Sequence, residues 1–358
     1  MSVGYTWIQW NRHKRIYDGL MAGAAVAYIG IFFGVTKLLW TGENGYSDEI
    51  VLIRATGSCA IILLQIILCI GPLARLDRRV LPALYNRRHL GVMTFLIALI
   101  HATLVLGFYH GFGVVNPVVS LLTSNTNFTS FRAFPFQILG LGALIIMFLM
   151  AATSHDFWLR NLSAATWKRL HMLVYVAYAL LVGHVALGAL QSDRSIIPPT
   201  LMLVGVLTVT TLHLLAGFKE VRKDAGTSPV AGEDGQWVDV GAPDEIPDDR
   251  ARTLCTPCGE RIAVFKHRGA ISAVTDVCAH QGGPLGEGKI IDGCITCPWH
   301  GWQYRPQDGR SPPPFTERIV TYQVRIVGGG AGRVLVNTVP LPPGTPTTPA
   351  RIPETTNA

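Results

Sequence analysis

The chain has 358 residues, of which 49% are hydrophobic and 15% charged, against about 25% charged in an ordinary soluble domain. Residues 1–223 carry 18 Lys and Arg against 8 Asp and Glu, whereas residues 224–358 carry 12 against 15. This distribution excludes a simple soluble enzyme and a disordered protein. It also argues against a nucleic-acid partner, because the basic residues lie in short clusters between apolar runs, as in membrane proteins.

Six apolar segments are each long enough to cross a bilayer, which takes a helix of about 20 residues. The first segment exceeds the apolar core of a signal peptide, so we expect it to be retained as an anchor. The pattern predicts a six-helix transmembrane α bundle, whose surroundings are the lipid bilayer. The segments cover roughly residues 17–40, 49–73, 90–112, 134–153, 170–190 and 196–217.

The basic residues also predict the orientation. One set of ends and loops carries fourteen Lys and Arg residues, and the opposite set carries only Arg132 and Arg194. By the positive-inside rule, both termini lie in the cytoplasm, and we expect a bacterial inner membrane. The predicted parts are a cytoplasmic N-terminus (1–16), a transmembrane domain (17–217), a linker (218–235), a second domain (236–338) and a Pro/Thr-rich disordered tail (339–358).

Five of the seven cysteines lie between residues 255 and 297, close to histidines. An odd number in such a cluster indicates a metal site rather than a disulfide framework. Cys255 and Cys258 form a CxxC pair that can be redox-active or half of a zinc site. Because no second pair follows at a suitable spacing, we expect two cysteines near a strand.

Residues 278–302 contain the pattern that carries most chemistry. Cys278 and His280 are followed, after sixteen residues, by Cys297 and His300. Two thiolates and two imidazoles can hold one tetrahedral zinc ion. They can equally hold a [2Fe–2S] cluster with both cysteines on one iron and both histidines on the other. The spacing alone does not choose between the two.

The surroundings of this pattern resemble the Rieske family. The loops CAHQGGPL and CPWHGW and the later SPPPF (311–315) match that family, over roughly residues 235–338. The resemblance implies an all-β domain with a [2Fe–2S] cluster on Cys278, His280, Cys297 and His300. Two flanking stretches fit hairpins, one turning around 267–269 and one at 328–332.

The chain differs from the respiratory bc-type branch of the Rieske family at residues beside the expected cluster. Gly283 and Trp299 stand where that branch has a loop-bridging cysteine pair, so no disulfide is expected there. Trp302 replaces a serine that donates to a cluster sulfur, whereas the neighbouring tyrosine is kept as Tyr304. Fewer hydrogen bonds to sulfur predict a potential toward the lower end of the Rieske range of about −150 to +300 mV, as in Rieske ferredoxins.

Histidines within the predicted spans are functional candidates, because ionisable groups are expensive in a bilayer. His101 and His184 follow basic pairs by about the same number of residues, which places both about 20 Å deep. One haem can bridge them. His171 lies near the cytoplasmic edge with His89 at a matching level, so a second haem is possible. On an ideal helix, however, His171 and His184 point about 140° apart.

The motifs RRxLG and WxRLHxLVY resemble the ferric-reductase-like transmembrane family, over about residues 15–217. Within that family, the chain resembles the six-helix haem b partner of periplasmic methionine sulfoxide reductases. The resemblance implies one or two b-type haems with His101, His171 and His184 as ligands. His89 is a weak candidate, His110 is expected to form an interfacial hydrogen bond, and His213 is expected to pack between helices. Because no flavin and nicotinamide module is recognisable, direct NAD(P)H oxidation is not expected.

These features predict a membrane electron-transfer protein. A cytoplasmic ferredoxin reductase or similar donor reduces the cluster, and haem passes electrons to a metal ion, a quinone or a periplasmic redox protein. Two alternatives are a quinol-linked electron donor to a cytoplasmic oxygenase and a non-catalytic redox sensor. A Rieske oxygenase is not expected, because the 58 residues after His300 contain no histidine for a mononuclear iron.

Overall fold

The computed structural model divides the chain into a helical unit and a β unit, with the division at residues 216 and 217. The described residues are 12–40, 45–80, 83–84, 86–154, 158, 162, 164–192, 197–225, 236–256, 259–280, 282–299, 301–328 and 332–353.

The helical unit is built from long apolar helices joined by short connections. Their bounds are α1 Arg12–Leu39, α2 Asp48–Leu76, α3 Arg87–Val105, α4 Pro117–Thr123, α5 Phe136–Ala152, α6 Ala164–Met172, α7 Val174–Leu187, α8 Ala189–Ser192 and α9 Ile197–Ala225. A 3₁₀ turn, Arg78–Val80, follows α2, and a π-helical turn, Leu106–His110, extends α3. A single residue, Leu173, separates α6 from α7.

Five helical stretches in the described part of the chain are long and apolar enough to cross a membrane: 15–39, 48–76, 87–110, 166–187 and 198–222. They coincide with five of the six predicted spans. The remaining predicted span, 134–153, forms α5, which has 17 residues and therefore lies at the lower limit for a crossing. The chain is an integral membrane protein by this measure.

The linker predicted over 218–235 is wrong in its first part, because α9 continues to Ala225. The reason is local: the segment FKEVRKDA is rich in Lys, Glu, Arg and Ala, which favour helix. Residues 226–235 lie outside the described part of the chain.

The outer face of the helical unit is apolar, as expected for a surface in lipid. Leu38, Val26 and Leu20 are 80%, 70% and 69% exposed. Inside, α2 packs on α3, and α5 packs on α7. The second contact uses small residues: Ala143 on α5 and Ala177 on α7 are both fully buried. Such residues let helix backbones approach closely in a membrane.

The β unit confirms the expected β-sheet domain. Its strands are β1 Trp237–Gly241, β2 Ala251–Cys255, β3 Arg261–His267, β4 Ala270–Thr275, β5 Lys289–Ile291, β6 Cys294–Thr296, β7 Gln303–Tyr304, β8 Thr321–Tyr322, β9 Val324–Val327, β10 Arg333–Asn337 and β11 Ala350–Arg351. They form sheets in the orders β1-β10-β9, β11-β4-β3-β2 with β8 on β4, and β5-β6-β7, and all of these strand pairs are antiparallel.

Both predicted hairpins are present. Strands β3 and β4 pair up to His267 and Ala270, and Arg268 and Gly269 have φ of 50° and 68°. Two positive φ values are typical of a type I′ turn, which matches the twist of the flanking strands. Strands β9 and β10 pair in the same way up to Val327 and Arg333.

Strand β3 divides the apolar core of the β unit in two. Because side chains alternate across a strand, Ile262 and Val264 enter one core, whereas Ala263 and Phe265 enter the other. The second core also contains Cys278 and Cys297, both almost fully buried. The two candidate cluster cysteines therefore belong to the packed interior of this unit.

The predicted disorder of 339–358 is wrong for residues 339–353. Strand β11 pairs with β4, Thr321 Oγ1 donates to the Thr345 carbonyl over 3.0 Å, and the Ile352 amide donates to the Gly269 carbonyl over 2.8 Å. Ile352 also packs on the first core. The Pro/Thr composition suggested disorder, but proline also fixes an extended backbone that can lie along a sheet. Residues 354–358 lie outside the described part.

We predict that Ile352→Ala lowers the local stability of β4 by about 1–2 kcal/mol, because it removes a partly buried side chain. Hydrogen exchange of the β4 amides in the full-length protein should then accelerate roughly tenfold, since 1.4 kcal/mol corresponds to a factor of ten. Thr348→Ala, at an exposed position of the same segment, is the control. Equal exchange in both variants would show that the segment does not stabilise the sheet.

Candidate metal-cluster and haem sites

The two loops that carry the candidate cluster ligands have the same backbone fold. In each loop the cysteine amide donates to the carbonyl five residues later, and the cysteine carbonyl accepts from a glycine amide four residues later. The N···O distances are 2.9 and 2.7 Å in the first loop (Cys278, Gly282, Gly283) and 2.8 and 2.9 Å in the second (Cys297, Gly301, Trp302). Both turn glycines have φ of +71°, a conformation that favours glycine.

The two loops face each other. A Cβ placed on Gly283 would lie 2.8 Å from Cys297 Sγ and 3.0 Å from Trp299 Cδ2. Only glycine fits at this position without displacing one of those groups. Gly283 and Trp299, which stand where the bc-type branch has a loop-bridging cysteine pair, are therefore neighbours. The Trp299 indole occupies the space between the loops.

The imidazole of His280 is covered by an aromatic stack. The rings of His280 and Trp302 are parallel within 5°, with centroids 4.2 Å apart, and Phe315 lies 4.4 Å beyond Trp302. Trp302 Nε1 donates to Ser311 Oγ over 3.1 Å, which fixes the indole. The sequence indicated Trp302 only as a lost hydrogen-bond donor. Its packing role depends on the fold that brings 302, 311 and 315 together.

Tyr304 supplies a polar group beside the first cysteine. Its hydroxyl lies 3.4 Å from Cys278 Sγ, and the side chain is fully buried. Burial raises the pKa of the Tyr304 phenol, and the neighbouring Cys278 raises it further. The phenol therefore keeps its proton at neutral pH and lies within hydrogen-bond distance of the sulfur.

Three of the four proposed cluster ligands lie on the two facing loops, with Cys278 and Cys297 in one core. The fourth, His300, lies outside the described residues. Among the residues described, no three His, Cys, Asp or Glu side chains converge as they would around a single ion. A diiron cluster takes two side chains on each iron, so it does not require such a group.

Two further cysteines of the β unit lie at strand ends. Cys255 ends β2, as expected for a cysteine near a strand, while Cys258 lies outside the described residues. Cys294 begins β6, and burial raises the pKa of its thiol. A protonated thiol is a weak nucleophile and a weak metal ligand.

In the helical unit, the rings of His101 on α3 and His184 on α7 lie edge to face, with their centroids 6.4 Å apart and their planes at 84°. His101 Nδ1 lies 2.9 Å from the Ile53 carbonyl, and His184 Nδ1 lies 2.9 Å from the Phe136 carbonyl. A carbonyl only accepts, so each Nδ1 carries the proton. In both neutral rings the lone pair is then on Nε2, the tautomer in which Nε2 binds a metal.

The other histidines have different surroundings. His171 stacks on Trp167 at 3.8 Å, and its Nδ1 donates to the Trp167 carbonyl over 3.0 Å. His89 Nδ1 lies 3.0 Å from both carboxylate oxygens of Asp18 on α1. His110 is hydrogen-bonded on both nitrogens to Ser120 and Gln137, as expected, and Tyr175 contacts His213 between α7 and α9.

Comparison with known families supports both parts. A model of the Rieske [2Fe-2S] domain matches residues 236–323, which include both cysteine loops. A model of the ferric reductase like transmembrane component matches residues 56–182, which include His101 and His171 and end two residues before His184. The alkene monooxygenase system ferredoxin component of Xanthobacter autotrophicus is 32% identical over 112 residues, which is 31% of this chain and 88% of that protein.

The chain belongs to the Rieske family, joined to a ferric-reductase-like transmembrane component. The membrane part is 28% identical over 178 residues to the protein-methionine-sulfoxide reductase heme-binding subunit MsrQ of Caulobacter vibrioides, covering 49% of this chain and 78% of that protein. Cholesterol 7-desaturase nvd of Xenopus laevis is 40% identical over 68 residues, but the match spans only 15% of the desaturase. The protein is therefore a membrane redox protein.

We predict that Tyr304→Phe lowers the midpoint potential of the Rieske cluster by about 40 mV. In the unmodified protein this hydrogen bond, of about 1 kcal/mol, stabilises the more negative reduced cluster, so its loss disfavours reduction. A tenfold change in the equilibrium constant of reduction corresponds to about 59 mV for one electron. Potentiometric titration of the cluster's electron paramagnetic resonance (EPR) signal measures this.

Tyr322→Phe is the matched control for this substitution. Tyr322 is buried in the first core, away from the loops, and burial together with Glu260 raises its pKa to about 12, so it too is protonated. If both substitutions shift the potential equally, or neither does, the Tyr304 hydroxyl does not act on the cluster.

Proposed function

We propose that the protein transfers electrons between a cytoplasmic Rieske [2Fe–2S] cluster and haem b inside a bacterial inner membrane. Six helices cross the bilayer, with α5 as the shortest, and both termini lie in the cytoplasm. The orientation is supported by the fourteen Lys and Arg residues on one side against two on the other. Cys278, His280, Cys297 and His300 hold the cluster.

The observation that carries this proposal is the close pair of His101 and His184. A metal–imidazole bond is about 2 Å long, so two imidazoles holding one metal ion between them would have their centroids roughly 6 Å apart. The observed separation is 6.4 Å, and both rings have Nε2 available in the ligating tautomer. His101 and His184 would therefore hold the haem.

The described contacts support one haem directly, because His101 and His184 lie next to each other. A second haem would take His171 with His89, whose Nδ1 is paired with Asp18, a partner that leaves Nε2 of a neutral ring available to a metal. His171 Nε2 lies 3.4 Å from Ser154 Oγ and its ring is stacked on Trp167. His171 stays the candidate ligand should a second haem be present near the cytoplasmic side.

When bound, the cluster and the haem would each supply one-electron redox chemistry. The chain contributes the positions: buried thiols in one core, oriented imidazoles in the bundle, and a protonated phenol beside Cys278. We propose that the donor is a cytoplasmic ferredoxin reductase or a similar protein, because the Rieske part is similar to a ferredoxin component. The acceptor is a metal ion, a quinone or a periplasmic redox protein at the membrane or its outer face.

Inverted membrane vesicles, which expose the cytoplasmic face, test the direction and the route. With NAD(P)H and a ferredoxin reductase added, the haem should become reduced, and Cys278→Ser should abolish this reduction while leaving the haem content unchanged. Cys255→Ser, in a strand of the same domain, should behave like the unmodified protein. A cluster potential well above that of the haem, or haem reduction that survives Cys278→Ser, would contradict the proposal.

The haem count is a separate prediction. His101→Ala and His184→Ala should each abolish haem binding, because both residues would hold the same haem, whereas His213→Ala should retain it. Haem and cluster iron in the purified protein should stand at one haem per cluster, measured by the pyridine haemochrome and EPR spin counting. A ratio of two, halved by His171→Ala, would assign His171 to a second haem.

A further inference from the structure

Two glycines lie directly beside the imidazoles of His101 and His184. A Cβ on Gly57 of α2 would lie 2.9 Å from His101 Cε1, and the three atoms nearest to it all belong to His101. A Cβ on Gly140 of α5 would lie 2.8 Å from His184 Nδ1, and its three nearest atoms all belong to His184. Each ring thus occupies the space that any larger residue would fill.

The two arrangements repeat along the chain. Ile53 precedes Gly57 by four residues and His101 by 48, and Phe136 precedes Gly140 and His184 by the same numbers. In both cases the first residue supplies the carbonyl that accepts from the imidazole. The α2–α3 pair therefore holds His101 in the same way as the α5–α7 pair holds His184. We call these two arrangements together the clamp.

Helix geometry explains why glycine stands four residues after the accepting carbonyl. In a helix the carbonyl of residue i accepts from the amide of residue i+4, and its second lone pair stays available. A side chain covers the turn before its own Cα, so the side chain of residue i+4 would lie over that carbonyl. Glycine at i+4 uncovers it and lets a ring from a neighbouring helix donate there.

We propose that Gly57 and Gly140 are positioning residues that set the orientation of the two axial histidines. The inference rests on the proposed haem site and adds to it that the site is built by a repeated carbonyl–glycine pair on α2 and α5. Glycine disfavours helix relative to alanine, so these two positions hold the poorer helix former where the imidazole needs the space.

Alanine substitutions test this with controls on the same kinds of helix. Gly57→Ala and Gly140→Ala add a methyl group against an imidazole. Gly142→Ala lies two residues further along α5 and meets only Leu180 Cδ1 at 3.5 Å, an ordinary contact. Gly91→Ala lies on α3, where nothing lies within 4 Å of the added carbon.

The readout is the low-spin ferric haem EPR signal of the purified full-length protein, together with the haem midpoint potential. The two test variants should lose low-spin signal in favour of high-spin haem, or show a displaced low-spin signal, and should shift the potential. The two control variants should match the unmodified protein. The Rieske signal of the same molecules and their elution in detergent report the amount of folded protein.

Unchanged haem spectra and potentials in Gly57→Ala and Gly140→Ala would overturn the inference while leaving the haem proposal intact. The same changes in Gly142→Ala or Gly91→Ala would overturn it too. The effect would then come from replacing glycine by alanine in a helix, not from crowding an imidazole. Unmodified protein that carries cluster but no haem would instead refute the proposed function.

Discussion

A buried imidazole binds a metal through one nitrogen only if its other nitrogen has a partner for its proton. In this bundle the partners of His101 and His184 are two helix carbonyls, those of Ile53 and Phe136. In a helix the carbonyls normally accept hydrogen bonds from backbone amides of the same helix, and side chains cover them. Glycine at positions 57 and 140 leaves room for the two rings beside these carbonyls.

The β unit meets a related demand by another route. Its two cysteines belong to a packed apolar core, and their loops repeat one backbone pattern that brings them face to face. Around them, Trp302 covers the His280 ring and the Tyr304 hydroxyl lies beside Cys278. Each candidate site therefore combines a buried scaffold with a few fixed polar contacts, the features by which a protein tunes a bound redox group.

Much of this follows from the sequence. Hydropathy located five membrane-spanning helices and the shorter α5, and equal depth paired His101 with His184. The two cysteine loops and both hairpins were also readable from motif and alternation. These features depend on local sequence, so the residue types of each segment and their periodicity are enough to predict them.

What the sequence did not show depends on contacts between distant segments. The pairing of His89 with Asp18 depends on how α1 packs, and the stack on His280 depends on the fold around 302–315. The tail from 339 to 353 is ordered by strand pairing and backbone bonds, which its Pro/Thr composition conceals. The glycine spacing was present in the sequence, yet its meaning required the carbonyl contacts.

The most direct measurement is one anaerobic redox titration of the purified full-length protein, with the haem optical bands and the Rieske EPR signal followed in the same sample. We expect both signals, in a low-spin haem with two axial histidines and in a [2Fe–2S] cluster, with the cluster potential at or below that of the haem. Zinc in place of cluster iron, or the absence of b-type haem bands, would contradict the account.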